Sequence, residues 1–214
     1  MKTVITGIST TGLVPVIKLD SPDQAVPLAQ ALLRGNLPLA EITFRTDAAE
    51  QSITRIARQF PDMLLGAGTV ITLEQARRAI AAGARFLVSP GYDDEIADFT
   101  LTNDIPFFPG VVTPTEIQRA LKKGLTSLKF FPAEPSGGLG MLNALSAPFP
   151  QVMFFPTGGV SLGNMQDYLR HPRVLAVGGS WMVPPKAIAQ GNWDEITQLS
   201  SQAVRLVDEI RNKN

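Results

Sequence analysis

Leu13-Val14-Pro15-Val16-Ile17-Lys18-Leu19-Asp20-Ser21-Pro22 runs from an apolar strand directly into a helix start, with no glycine in between. An open, doubly wound α/β sheet normally carries a glycine-rich dinucleotide or phosphate turn after its first strand. The lack of one turns the reading toward a closed barrel. Outward from this stretch the same unit recurs. Apolar runs begin near Leu13, Leu39, Met63, Arg85, Pro106, Ser127, Val152 and Val174, at intervals of 21 to 26 residues. Each interval holds a strand, a helix of about three turns and two short loops. No internal sequence repeat accompanies the spacing, which argues against a solenoid. Eight such units predict an α/β fold, a (β/α)8 TIM barrel, as a single domain over residues 1–214.

Helix punctuation agrees. Ser21-Pro22-Asp23-Gln24 and Thr113-Pro114-Thr115-Glu116 each place a hydroxyl at the N-cap, Pro at the first helical position and Gln or Glu three residues after the cap. Thr72-Leu73-Glu74-Gln75 repeats this without Pro. Gly35, Gly83 and Gly124 stand where a helix end needs a left-handed residue. An amphipathic C-terminal helix follows an Asn192/Glu195 cap, with apolar residues at 193, 196, 199, 203, 206 and 210.

Composition narrows the chemistry. The 214 residues hold 19 Lys+Arg against 19 Asp+Glu, a formal net charge of zero, so no general field favours nucleic acid or an anionic membrane. Zero Cys excludes disulfides, thiolate metal sites and a cysteine nucleophile, and a single His makes triads and multi-histidine metal sites poor candidates. The N-terminus turns polar at Ser9-Thr10-Thr11, too soon for a secretory core, and no run approaches the length of a membrane span. The expected location is the cytoplasm.

Strand parity then selects the polar residues. In Leu39–Arg45, Ala40, Ile42 and Phe44 suit the surrounding helices, while Leu39, Glu41, Thr43 and Arg45 face the interior. In the sixth run, Leu128 and Phe130 point outward, and Ser127, Lys129 and Phe131 inward. The second and sixth strands of an eight-stranded ring lie opposite each other, so Glu41 and Lys129 can meet near the axis. They could form a structural ion pair, or Lys129 could lie at the rim with its ammonium in water. The chemical alternative is a lysine walled by Phe130, Phe131 and Leu128. Lost hydration would favour its neutral amine, which can form a Schiff base with a carbonyl. Glu41 is then the available proton carrier, and Arg45 offers a planar fork to a carboxylate.

Glycines mark a second region. Gly158-Gly159 and Gly178-Gly179-Ser180 follow the seventh and eighth strands, where barrels often hold phosphate on backbone N–H groups. Gly66-Ala67-Gly68-Thr69, Ser89-Pro90-Gly91 and Pro109-Gly110 complete the strand ends, their small residues leaving room for a ligand. Thr69 can hydrogen-bond a carboxylate or cap a turn. His171, before the last strand, receives no chemistry.

These residues resemble the class I 2-keto-3-deoxy-6-phosphogluconate (KDPG) aldolases, many of which also handle 4-hydroxy-2-oxoglutarate. The resemblance runs through LVPVIKLDSPDQAVPLAQALLRG, AEITFRT, LLGAGTV, FLVSPG, GLTSLKFFPAEPSG, FFPTGGVS and GGSWMVP, nearly the whole chain. It implies Lys129 as the Schiff-base lysine and Glu41 as general acid/base. Arg45 and Thr69 would hold the pyruvate carboxylate, and Phe131 and Pro90 would shape the pocket. Gly158, Gly159, Gly179 and Ser180 would bind the distal phosphate. The implied substrate is a phosphorylated 2-keto acid, with no metal or organic cofactor, in a cytoplasmic homotrimer engaged in sugar-acid breakdown. One departure is Asn36, where the family usually has a second Gly; Asn is the next-best left-handed residue. The competing function is a non-catalytic barrel that binds a sugar-acid phosphate without turnover.

Overall fold

The computed structural model describes residues 1–211. Its strands are β1 Leu13–Ile17, β2 Leu39–Thr43, β3 Leu64–Gly68, β4 Phe86–Val88, β5 Phe107–Phe108, β6 Gly110–Val111, β7 Ser127–Phe130, β8 Met153–Pro156 and β9 Val177–Gly179. Among them run α1 Lys2–Thr11, α2 Ala25–Arg34, α3 Ala48–Gln59, α4 Leu73–Ala81, α5 Asp94–Thr102 and α6 Pro114–Lys122. The later helices are α7 Gly138–Ser146, α8 Met165–Arg170, α9 Pro185–Gln190 and α10 Trp193–Arg211. None of the described helices is long and apolar enough to cross a membrane.

The strands form a curled parallel arrangement. A six-stranded sheet has the order β5-β4-β3-β2-β1-β9, and a three-stranded sheet the order β6-β7-β8. Parallel bridges Phe154↔Val174 and Thr157↔Gly178 link the β8 and β9 segments. At the other junction, Phe107 and Phe108 pair with β4, and Gly110 and Val111 pair with β7. The hand-over falls at Pro109, which lacks an N–H but accepts from Lys129 N through its carbonyl at 2.9 Å.

Side chains confirm the curl. Val14, Leu39, Phe86, Val88, Phe108 and Phe155 from strands of both sheets, with Leu175 and Ala176 just before β9, form one interior cluster. Phe108 is edge-on to Phe86 and to Phe155, with centroids 6.0 Å apart in each pair. Ala40, Ile42, Leu128 and Phe130 belong to a separate cluster between the strands and helices. The alternation of faces expected for the Glu41 and Lys129 strands is therefore present, with both faces buried. Leu128 and Phe130, however, lie on the helix side and cannot wall the lysine, because strand alternation sends neighbours to opposite faces.

Several local expectations change. α1 has no counterpart in the periodicity, since only its Ile8 is buried. Ile8 packs into the interior cluster beside Leu39 and Leu175 at strand beginnings, so α1 covers that end and leaves the strand C-termini for the site. The capping boxes at Ser21 and Thr113 form, the first on a short 3-10 turn preceding α2. Gly83 and Gly124 are left-handed (φ 110° and 80°), but Gly35 has φ −80°, and Asn36 takes the left-handed turn at φ 57°. Gly35 is needed for proximity: a Cβ there would lie 2.6 Å from Ser200 Cβ of α10. Correspondingly, α10 buries Ile196, Ser200, Ala203, Val207 and Ile210, a seam one residue displaced from Leu199 and Leu206.

Candidate active site

Lys129 and Glu41 meet inside the curl, with Nζ 3.9 Å from Glu41 Oε1 and side chains 6% and 0% exposed. Each stands on an inward-facing position of its strand, β7 and β2. Lys129 is in register with Phe155, an interior residue, and its Nζ lies 4.8 Å from the centroid of the Phe131 ring. Those aromatics replace Leu128 and Phe130 as its apolar surroundings.

Space for the carboxylate comes from the neighbouring strand, β3. A Cβ on Gly68 of β3 would overlap Glu41 Oε1, and one on Gly66 would overlap the Phe86 ring. The small residues of β3 thus make room for protein side chains in the first instance. Neither Glu41 oxygen has a hydrogen-bond partner, a costly condition for a buried carboxyl. Burial pushes its pKa up, with the charges of Lys129 and Arg45 opposing. Burial likewise pulls the Lys129 amine down; Glu41 opposes this and Arg45 reinforces it. Both shifts favour neutral forms, so the pair is poised to exchange protons.

Phe131, whose ring Lys129 faces, also lines a cavity of about 190 Å³ with Val16, Arg45, Thr157, Gly158, Gly159, Val160, Gly179 and Ser180. This cavity gathers Arg45, Phe131 and all four residues of the expected phosphate region. Arg45 Nε donates to Thr43 Oγ1 at 3.1 Å, and Thr43 Oγ1 donates to the Ile17 carbonyl at 2.8 Å. The sequence reading turned Thr43 inward without giving it a role; the alternation that selected Glu41 and Arg45 contained that signal. Thr157 was also missed. Its buried Oγ1 lacks a hydrogen-bond partner and belongs to a cavity-lining residue.

The two glycine pairs serve different ends. Gly158 and Gly159 are left-handed, at φ 96° and 84°. Gly178 and Gly179 instead yield space, since a Cβ would overlap Thr157 Oγ1 at the first and the Trp181 ring at the second. Thr69 and Pro90 do not line this cavity, although the Pro90 carbonyl reaches Gly110, the residue in register with Lys129. Thr69 has a left-handed backbone at φ 56°, and Pro90 lines a separate cavity of about 230 Å³ with Val70, Ile71, Ser89, Gly91, Tyr92 and Asp93. Among the described residues no cluster of three or more His, Cys, Asp or Glu side chains could hold a metal ion.

Comparisons with known proteins converge on one family. Residues 4–199 match the family model described as KDPG and KHG aldolase. The 2-dehydro-3-deoxy-phosphogluconate aldolase of Treponema pallidum is 46% identical over 207 residues, 97% of this chain and 99% of that protein. A crystal structure of KDPG aldolase from Legionella pneumophila, with pyruvate captured at low pH as a covalent carbinolamine intermediate, superposes with a TM-score of 0.90. It is 42% identical, and the match covers 93% of this chain and 97% of that one. The Zymomonas mobilis ZM4 aldolase structure with 3-phosphoglycerate gives a TM-score of 0.88 at 34% identity, covering 95% and 96%.

Proposed function

The chain belongs to the KDPG and KHG aldolase family, and from that premise we propose that it is a class I, Schiff-base aldolase. It cleaves KDPG to pyruvate and glyceraldehyde 3-phosphate, and 4-hydroxy-2-oxoglutarate to pyruvate and glyoxylate. The observation that carries this reading is the buried Lys129–Glu41 pair at 3.9 Å, joined through Phe131 to the Arg45 and glycine-lined cavity.

The neutral Lys129 amine attacks the C2 ketone, forming a C–N bond as the carbonyl oxygen takes a proton. Glu41 transfers protons while the carbinolamine loses water to give an iminium. With its carboxylate regenerated, Glu41 removes the C4 hydroxyl proton. The C3–C4 bond breaks, its electron pair flows into the iminium, and glyceraldehyde 3-phosphate leaves. Protonation of the resulting enamine at C3 and attack by water release pyruvate and the free lysine. The iminium is the electron sink, so this route runs without a metal or organic cofactor.

Arg45, held by Thr43, grips the substrate carboxylate together with Thr69, and Phe131 and Pro90 shape the pocket. Gly158, Gly159, Gly179 and Ser180 receive the phosphate. In this reading residues 1–214 act as one domain, and β5 and β6 count as one strand interrupted at Pro109. The curled sheets then close as an eight-stranded (β/α)8 barrel. The homotrimeric state rests on the family resemblance. Steady-state assay of pyruvate release from both substrates tests the activity; turnover of neither would overturn it. A barrel that only binds has no use for a buried amine beside an unpartnered carboxyl.

A further inference from the structure

We propose that the hydrogen bond from Tyr168 to Glu134 is a latch that holds a carboxylate away from the phosphate cradle, making both residues positioning residues for phosphorylated substrate. The inference rests on the aldolase reading for the identity of that substrate. Glu134 is tied by its backbone to the glycine segment behind the cradle, and its side chain is exposed. Its N–H donates to the Gly158 carbonyl at 2.9 Å, and the preceding N–H, of Ala133, donates to the Thr157 carbonyl at 2.8 Å. A Cβ on Gly159 would lie 2.5 Å from Glu134 Cβ. The side chain therefore starts directly against Gly159, one of the left-handed glycines that line the cradle, although Glu134 itself does not line it.

The carboxylate is turned aside. Glu134 Oε1 accepts from the Tyr168 hydroxyl of α8, and Tyr168 is 1% exposed, so the donor is fixed in the core. Gly138 makes room for the bond: a Cβ there would lie 3.1 Å from Glu134 Oε1 and 3.2 Å from Tyr168 Oη. Burial and the adjacent carboxylate keep the phenol protonated well above neutral pH, so it remains a donor throughout the working range. A released Glu134 would set like charge against a phosphate ester at close range.

The test is steady-state kinetics of Tyr168→Phe, Glu134→Gln and the double variant, on KDPG and on 4-hydroxy-2-oxoglutarate, which carries no phosphate. Tyr168→Phe is expected to raise KM for KDPG about fivefold or more, with kcat within about twofold. Both constants for 4-hydroxy-2-oxoglutarate should stay near the unsubstituted values. Glu134→Gln keeps an acceptor oxygen and loses the charge, so it should bind KDPG at least as well as the original, and in the Tyr168→Phe background it should restore KM. An unchanged KM in Tyr168→Phe overturns the proposal. So does an equal rise for both substrates, or failure of Glu134→Gln to restore KM, since either marks a merely structural contact. If the unsubstituted protein turns over neither substrate, titration with inorganic phosphate decides the latch separately: weaker binding by Tyr168→Phe supports it, and equal binding overturns it.

Discussion

Lys129 Nζ stands 3.9 Å from Glu41 Oε1, beyond hydrogen-bonding distance, with both side chains out of solvent. That separation suits a pair that meets across a reacting group better than one serving as a structural bond. Exchanging Glu41 for Gln should therefore leave the fold intact and lower kcat by roughly 10²- to 10⁴-fold, the range for a positioned acid/base. Steady-state assays beside a thermal melt check this. A loss of less than tenfold would remove Glu41 from the proton path.

The same pair costs stability. Glu41 has a raised pKa, so its contribution is full below its unfolded pKa and is lost as pH rises through the folded value. Lys129 has a lowered pKa, so between its folded and unfolded values the unfolded chain holds more protons and stability falls as pH falls. Near neutrality both work against folding. The double variant Lys129→Met/Glu41→Leu should then match or exceed the unsubstituted protein in stability, by up to about 4 kcal/mol, while losing turnover. Denaturant unfolding at pH 7 measures it, and a clear destabilisation would mark the pair as structural.

Gly66 and Gly68 should separate packing from chemistry. Gly66→Ala strikes the Phe86 ring, and overpacking of this kind costs roughly 1–3 kcal/mol, visible as a lower Tm. Gly68→Ala strikes the Glu41 carboxylate and should depress kcat by more than its stability loss explains. Equal effects of the two variants on kcat would contradict this division.

Thr43 holds Arg45 through a charged hydrogen bond. Thr43→Val should raise KM for substrate about fivefold or more, consistent with a bond of about 1–3 kcal/mol, and Arg45→Lys should raise it further because the planar fork is lost. KM values measured for both variants, with kcat compared alongside, check the order. A larger effect from Thr43→Val alone would show that its bond to Ile17 matters more than its hold on Arg45.

Legibility in the sequence followed the physics of each signal. Alternation along Leu39–Arg45 and Ser127–Phe131 was readable because a buried Glu, Arg and Lys are expensive and conspicuous. Proximity constraints were less visible. Glycine reads as a turn residue, yet Gly35, Gly66, Gly68 and Gly179 are glycines because Ser200, Phe86, Glu41 and Trp181 occupy the space a Cβ would take. The one-residue displacement of the α10 seam has the same origin, a small Ser200 packed against Gly35 where a leucine-based reading chose Leu199. α1 escaped detection because a single buried residue, Ile8, leaves no period to find. Thr157, just past the end of β8, carries no sequence signal of its own; its role depends on neighbours that only the fold places.

The central claim is a covalent bond between pyruvate and one lysine. Incubation with pyruvate and sodium borohydride, followed by intact mass and peptide mapping, tests it most directly. The account predicts one reduced pyruvyl adduct per chain on Lys129, absent from Lys129→Met. No adduct on an accessible Lys129, or an adduct on another lysine, would contradict it.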